Sequence, residues 1–251
     1  MTTDACRPRL RTVEKYSPAY RLNDFPPGFP LELGKSVISL LATRKSPRLE
    51  GSDWEEIFAK CINAKWAPSN VGLDDIVLEQ MAWGAKTVKN PNPFQVATIR
   101  LISGRNSLAY SYGDSDPFSM ELPDLGAKIL QIWNDRIEAV RAKFAHVRTV
   151  VLIKGPDLTT LSVYEEEALM FLPDKYFWQW NEKKNLEGYE KDTRIHRFTW
   201  QPHGSQFTVI SDVPNNKLCL RLKKPPVIPE ADVLKAIKFD ESWVEVVSGK
   251  H

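Results

Sequence analysis

The sequence is poor in cysteine: only Cys6, Cys61 and Cys219 occur among 251 residues, and none of them lie at CxxC spacing. This scarcity argues against a zinc site or a disulfide framework and is typical of a reducing compartment. No stretch approaches 18 consecutive apolar residues, and the N-terminus lacks the apolar core of a signal peptide. We therefore expect a cytoplasmic protein that does not enter a membrane.

Several sequence motifs of small-molecule enzymes are also missing. The chain has no glycine-rich phosphate loop, no nucleophile elbow and no metal-binding histidine pair. Lys and Arg exceed Asp and Glu by 34 to 32, so the net charge of +2 neither requires nor excludes a nucleic-acid partner. With 42% hydrophobic and 26% charged residues, the composition is that of a folded globular protein, and the length fits one domain over residues 1–251.

Periodicity predicts an α+β fold with a mixed sheet flanked by helices. The first 30 residues, rich in proline and charge, are expected to form an arm. Apolar spacing predicts a helix over residues 31–42, and Ser52 with Glu55 forms an apparent capping box for a second helix over 53–64. The remaining predicted elements are helices over 125–144 and 231–238 and strands over 75–78, 82–88, 149–153, 161–163, 168–172, 195–200, 206–210 and 218–222.

The two strands around residue 80 bring together residues that suit phosphodiester hydrolysis. A hairpin centred there sets Asp74 and Asp75 opposite the neighbourhood of Ala85 and Lys86. Hydrolysis of a phosphodiester needs a hard cation such as Mg²⁺, carboxylates that hold the cation, and often a lysine beside the attacking water. Asp74 or Asp75, Glu55 and Lys86 supply these groups.

The segment Asn70–Leu78, followed by Ala82–Lys89, resembles the core of the PD-(D/E)xK nuclease superfamily, and type II restriction endonucleases are the members it most resembles. The resemblance implies a restriction-endonuclease-like α/β/α core over residues 50–155 and a β-rich part over 156–251 for DNA recognition and dimerisation. It also implies that Asp75 binds the metal and that Lys86 is the lysine of the (D/E)xK triplet. Glu55 would then be the helix carboxylate.

The resemblance thus assigns catalysis to four residues: Asp75, Asp74, Glu55 and Lys86. Mg²⁺ would be held by Asp75, Glu55 and the carbonyl of Ala85. The resemblance further implies double-stranded DNA as substrate, a homodimer, and a cognate DNA methyltransferase as genetic companion.

The chain departs from the family pattern at Gly84, where the family usually has Asp or Glu, and at Asp74, where the family often has Pro. The second carboxylate is therefore either relocated or lost. If it is relocated, the candidates are Glu55, the other member of the acidic pair, and Glu79. Loss would leave a non-catalytic DNA-binding module. A repair or modification-dependent nuclease is the further alternative, and the capping box offers Glu55 a purely structural role.

Arg, Asn, Gln and His side chains in two polar segments are candidates for DNA contact, because these types bind phosphates and base edges. The alternative for both segments is a solvated loop that makes no contact with DNA. The candidates are Lys89, Arg100, Arg105, Asn106, Gln201, His203 and Gln206.

Overall fold

A computed structural model describes residues 16–44, 46–67, 72–113 and 116–247. The helices are α1 (Phe29–Thr43), α2 (Gly51–Cys61), α3 (Leu108–Tyr112), α4 (Leu122–Arg141) and α5 (Glu230–Ala236). The strands are β1 (Lys65–Trp66), β2 (Ile76–Leu78), β3 (Met81–Lys89), β4 (Thr98–Arg105), β5 (His146–Lys154), β6 (Thr160–Glu167), β7 (Tyr176–Trp180), β8 (Leu186–Glu190), β9 (His196–Gln201), β10 (Gln206–Asp212) and β11 (Leu218–Arg221).

The larger sheet has six strands in the order β1-β2-β3-β5-β6-β11. Only β3 and β5 run parallel, and the connection between them contains α4. The predicted hairpin is confirmed: Ile76 pairs with Trp83 and Leu78 with Met81, within one residue of the expected register. The mixed sheet of an α+β fold is therefore also confirmed.

Both faces of this sheet are covered. Trp83 and Ala85 of β3 pack with α1 and α2, whose apolar stripes bury Phe29 and Phe58 completely. Ala82, on the opposite face of β3, packs with α4. Because side chains alternate along a strand, Gly84 and Lys86 lie on the face of Ala82.

The smaller sheet has five antiparallel strands in the order β4-β10-β9-β8-β7. Its β4, β7 and β8 did not emerge from the sequence pattern. The expected strand over 168–172 is wrong, because the amide of Asn134 on α4 bonds both the N–H and the carbonyl of Phe171, each at 2.8 Å. These bonds take the backbone groups that a strand neighbour would need.

The second helix starts differently from the expectation. Its N-cap is Glu50, and the side chain of Asp53 accepts the Glu50 N–H at 2.7 Å, so the capping box joins these two residues and not Ser52 with Glu55. Arg44 holds the same carboxylate with two bonds of 2.8 and 2.7 Å. Glu55 is therefore free of the capping role that the sequence suggested.

The described part of the expected arm packs on the body. Tyr20 stacks on Trp83 and donates its hydroxyl to Glu165 at 2.7 Å. The fully buried Glu165 also accepts from Trp83 Nε1 at 2.6 Å and pairs with Arg148 at 3.1 Å. A buried carboxylate is tolerated when its charge and lone pairs are satisfied in this way.

None of the described helices is long and apolar enough to cross a membrane.

Candidate functional site

Asp75 and Lys86 lie on one face of the β2–β3 hairpin. Extending the ladder by one pair beyond Ile76 and Trp83 sets Asp75 opposite Gly84, and Lys86 lies two residues further along that face. Asp75 is only 5% exposed. The hairpin thus sets the Asp75 carboxylate and the Lys86 amine on one face. The expected register paired Asp74 with Lys86; the observed register differs by one residue, which exchanges the faces of Asp74 and Asp75.

Burial is the main influence on the pKa of Lys86. It lowers the pKa of the amine, and the positive charge of Arg136 lowers it further, while Asp75 and Glu55 act in the opposite direction. Glu55 and Arg136 come from helices on different faces of the sheet, so both helices contribute to the electrostatic surroundings of Lys86.

Glu55 completes this group from the second helix. Its Oε2 accepts the indole N–H of Trp66 at 3.2 Å. Burial raises the pKa of Glu55, and the negative charge of Asp75 adds to that rise, whereas the Trp66 bond and Lys86 oppose it. The charges of Glu55, Asp75 and Lys86 therefore act on one another.

A steric restriction explains why residue 84 is a glycine. A Cβ there would lie 2.5 Å from the carbonyl oxygen of Gly72 and 3.2 Å from Leu73 Cα, closer than real side chains approach a backbone. The turn through Gly72, which has φ +70°, also passes beside Lys86 Nζ. No carboxylate can stand at residue 84 while this segment covers it.

The other carboxylates considered for the second acidic position differ in their placement. The Asp74 carboxylate lies 3.6 Å from Lys143 Nζ near the end of α4. Glu79 occupies the hairpin turn at the other end of β2, four residues from Asp75, or about 13 Å along an extended chain. Of these candidates, Glu55 is the one whose charge, together with that of Asp75, acts on Lys86.

The donor set fits a hard divalent cation. Asp75 and Glu55 offer carboxylate oxygens, and Ala85 offers a backbone carbonyl in β3, whose ladder with β2 ends at Trp83. Within the described residues no group of three or more His, Cys, Asp or Glu side chains has the geometry of a metal site. A cation held by two protein carboxylates suits Mg²⁺, which keeps several waters and also binds substrate phosphates.

Arg136 on α4 was not foreseen. Its guanidinium donates to the backbone carbonyls of Ser103, at 3.4 Å, and Arg105, and it lies against Gly104, whose φ is +136° and where a Cβ would overlap it. No carboxylate of the described chain forms an ion pair with it. A glycine inside a strand signals close approach of another group, so Gly104 was the available clue.

One group of the predicted DNA-contact residues is brought together. Across the smaller sheet, Gln206 of β10 pairs with Arg105 of β4 on one side and with Gln201 of β9 on the other. His203 lies in the β9–β10 turn beside them and is exposed. Arg136 bonds the Arg105 carbonyl, and its charge also acts on Lys86.

The other predicted contacts lie elsewhere. Asn106 is fully buried, and its amide donates to the carbonyl of Ile129 at 2.7 Å, so we leave it out of the interface. Arg100 lies five residues before Arg105 on β4 and donates to Thr199 Oγ1 at 2.7 Å. Lys89 is exposed at the end of β3, on the face opposite Lys86.

Searches against protein-family models, curated proteins and solved structures find no match to the chain. The assignment of function therefore rests on the chemistry and placement of these side chains.

Proposed function

We propose that the chain is a Mg²⁺-dependent, site-specific endonuclease of double-stranded DNA, similar in type to type II restriction enzymes. The observation that carries the proposal is that Asp75 and Lys86 share one face of the β2–β3 hairpin and that the charges of both act on Glu55 of α2. Paired carboxylates beside a buried lysine are the groups that metal-assisted phosphodiester hydrolysis requires.

Asp75 and Glu55 would hold the cation, with the Ala85 carbonyl as a further ligand. Asp75 is buried and Glu55 is half-buried, and burial together with the negative charge of Asp75 raises the pKa of Glu55. A cation between them would relieve the repulsion between the two carboxylates. When bound, Mg²⁺ supplies a Lewis acid that polarises the scissile phosphate and favours the attacking water.

Lys86 would orient the attacking water and stabilise the negative charge that develops on the phosphate. Because burial lowers the pKa of its amine, Lys86 also releases a proton more readily than a solvated lysine. Arg136 adds a second cation beyond Lys86, and we assign it the contact to a neighbouring backbone phosphate.

The row formed by Arg105, Gln206, Gln201 and His203 would meet the DNA next to this phosphate. Arg and Gln are side chains that bind base edges with two hydrogen bonds. We assign sequence recognition to this row, and a phosphate-positioning role to Arg136, since guanidinium contacts to the backbone carry no sequence information.

The test is incubation of purified protein with unmethylated phage DNA in Mg²⁺ or in EDTA, followed by electrophoresis. The proposal expects discrete fragments with Mg²⁺ only, and no cleavage by Asp75→Asn or Lys86→Ala while both variants stay folded and bind DNA. Intact DNA across many substrates, with DNA affinity retained, would favour a non-catalytic binding module. Cleavage by either variant would overturn the site assignment.

A second readout does not depend on cleavage. Trp66 donates to Glu55, so its indole lies beside the proposed metal site and should sensitise luminescence of Tb³⁺ bound there. We expect the luminescence to be displaced by Mg²⁺ and lost in Asp75→Asn. Equal Tb³⁺ luminescence in that variant would place the cation elsewhere.

A further inference from the structure

Helix α2 and the pair formed by Asp75 and Lys86 lie on opposite faces of the larger sheet. Ile76 and Trp83, which pair across β2 and β3, pack in the same hydrophobic cluster as α2. Asp75 precedes Ile76, so its side chain points to the other face, where Lys86 also lies. A side chain of α2 such as Glu55 can therefore approach Asp75 and Lys86 only around the edge of the sheet.

The edge of the sheet beside Asp75 is formed by β1, which is only two residues long. Its last residue, Trp66, pairs with Ile76, so the indole lies on the face to which α2 packs. Directly after β1, the Ala67 N–H donates to the Asp75 carbonyl at 2.8 Å. The backbone of Asp75 is therefore tied to the same short edge segment that carries Trp66.

The indole of Trp66 connects this edge segment to α2. Its N–H donates to Glu55 Oε2 at 3.2 Å, which leaves Oε1 as the second oxygen of the carboxylate. A glutamate side chain is long and loses rotational freedom when it binds a ligand. A bond that already fixes the carboxylate reduces the entropy lost on binding.

The surroundings of Trp66 indicate that the indole contributes more through its N–H than through packing. Trp66 is 38% exposed, whereas Trp54 and Trp83 are completely buried. Within the part of the chain that the structure describes, Trp66 does not belong to the hydrophobic cluster that contains those two tryptophans. A phenylalanine at residue 66 should therefore leave the fold intact and remove only the bond to Glu55.

We infer that Trp66 is a positioning residue, which holds the Glu55 carboxylate at the sheet edge near Asp75 in the orientation that binds the cation. The inference rests on the proposed function, because it assumes a cation held by Glu55 and Asp75. Strand β1 then serves both carboxylates, since Trp66 donates to Glu55 and Ala67 bonds the Asp75 backbone. Groups that orient a metal ligand in this way typically change metal affinity by about 10–100-fold.

The experiment measures the binding of Mn²⁺ to the full chain without DNA, from the electron paramagnetic resonance signal of the free ion. Mn²⁺ is suited to the same carboxylate and carbonyl oxygens as Mg²⁺. Trp66→Phe should weaken Mn²⁺ binding by about 10–100-fold. Trp243→Phe, at a tryptophan that is 60% exposed and contacts Phe239, is the matched control and should bind Mn²⁺ like wild type.

A further variant separates the N–H from the ring. Trp66→Gln removes the ring but carries an N–H donor the same number of bonds from Cα as the indole nitrogen. It should bind Mn²⁺ more tightly than Trp66→Phe does. If Trp66→Gln binds no more tightly than Trp66→Phe, the affinity depends on the ring and not on the bond to Glu55, and the inference is wrong.

The second readout is the Mg²⁺ dependence of single-turnover DNA cleavage, with folding checked by circular dichroism. Trp66→Phe should need about 10–100-fold more Mg²⁺ for its half-maximal rate. It should still reach the wild-type rate at saturating Mg²⁺, because Trp66 acts on the cation through Glu55 and is not assigned a contact with DNA. A variant that had merely lost structure would be slower at every Mg²⁺ concentration.

The outcomes distinguish the inference from the proposed function. Mn²⁺ binding by Trp66→Phe that equals wild type, together with loss of binding in Asp75→Asn, would overturn the inference and leave the proposed function standing. Tighter binding by Trp66→Phe would also overturn it, since Trp66 would then hold Glu55 away from the cation. A wild-type protein that binds no Mn²⁺ would overturn both.

Discussion

Substitution of Gly84 by alanine is the sharpest test of the site's geometry. In a strand, alanine normally stabilises relative to glycine by roughly 0.5–1 kcal/mol, because it restricts the unfolded chain. Here the added Cβ would lie 2.5 Å from the Gly72 carbonyl oxygen, and both partners are backbone that cannot rotate away. We expect steric overlap to outweigh the gain.

Overpacking of a well-packed interior costs about 1–3 kcal/mol. For a chain of this length, each kcal/mol corresponds to about 2–4 °C in Tm. Gly84→Ala should therefore lower the Tm by several degrees. Gly84→Asp, which would create the (D/E)xK triplet of the nuclease family that this segment resembles, should lower the Tm further. It should not increase cleavage, since the new carboxylate cannot occupy the site without displacing the turn at Gly72.

The measurement is thermal unfolding of both variants beside wild type, with Gly51→Ala as matched control. Gly51 lies in the first turn of α2, and a Cβ there meets no atom within 4 Å. The control should be as stable as wild type or slightly more stable. A Gly84→Ala protein with wild-type Tm, or a Gly84→Asp protein that cleaves faster than wild type, would refute the steric explanation.

Four further outcomes follow from buried polar groups. Lys86→Met should raise the Tm at pH 7, because burial lowers the folded-state pKa of the amine and so disfavours its charged form. The gain in Tm should fade as the pH rises from the lowered folded-state pKa toward the ordinary lysine pKa near 10.4. A variant less stable than wild type at pH 7 would contradict this. Glu165→Gln, which leaves the buried Arg148 short of charge, should cost about 3–5 kcal/mol in urea unfolding; a loss below about 1 kcal/mol would count against the buried pair. Asn134→Ala should cost about 1–3 kcal/mol through its two bonds to Phe171, and an unchanged unfolding midpoint would show that they contribute nothing. Arg136→Gln should weaken DNA binding and reduce its salt dependence by about one phosphate contact, with Arg136→Lys in between; an unchanged salt slope would remove Arg136 from the interface.

The elements that were predicted correctly are those whose pattern is local. Helix α4 was expected over 125–144 and lies at Leu122–Arg141, because its apolar residues repeat at helical spacing. The hairpin itself followed from the short distance between two strands, but its register lies one residue from the expected one, so Asp75 and not Asp74 shares a face with Lys86. Chain proximity determined the existence of both elements, whereas the exact register was not determined by the sequence pattern.

The features that the sequence did not reveal depend on distant contacts. The polar residues of β4 resembled a loop, and only pairing with β10, more than 100 residues later, makes them a strand. Ser52 and Glu55 matched the sequence pattern of a capping box. In the structure, however, Arg44 and the Glu50 N–H both donate to Asp53, which forms the box with Glu50. The contact of Arg136 with the Ser103 and Arg105 carbonyls likewise depends on how α4 packs.

The measurement that tests the central claim most directly is the single-turnover rate of DNA cleavage by Glu55→Gln beside Glu56→Gln. The two substitutions are chemically identical and adjacent. Glu55 accepts a hydrogen bond from Trp66 and interacts with the charges of Asp75 and Lys86, whereas Glu56 is exposed on the side of α2 that faces α1. Because loss of a group that merely orients a metal ligand costs about 10–100-fold, we expect Glu55→Gln to lose at least that much and Glu56→Gln to cleave like wild type. Equal rates for the two variants would contradict the assignment of Glu55 as the carboxylate that replaces the acid missing at Gly84.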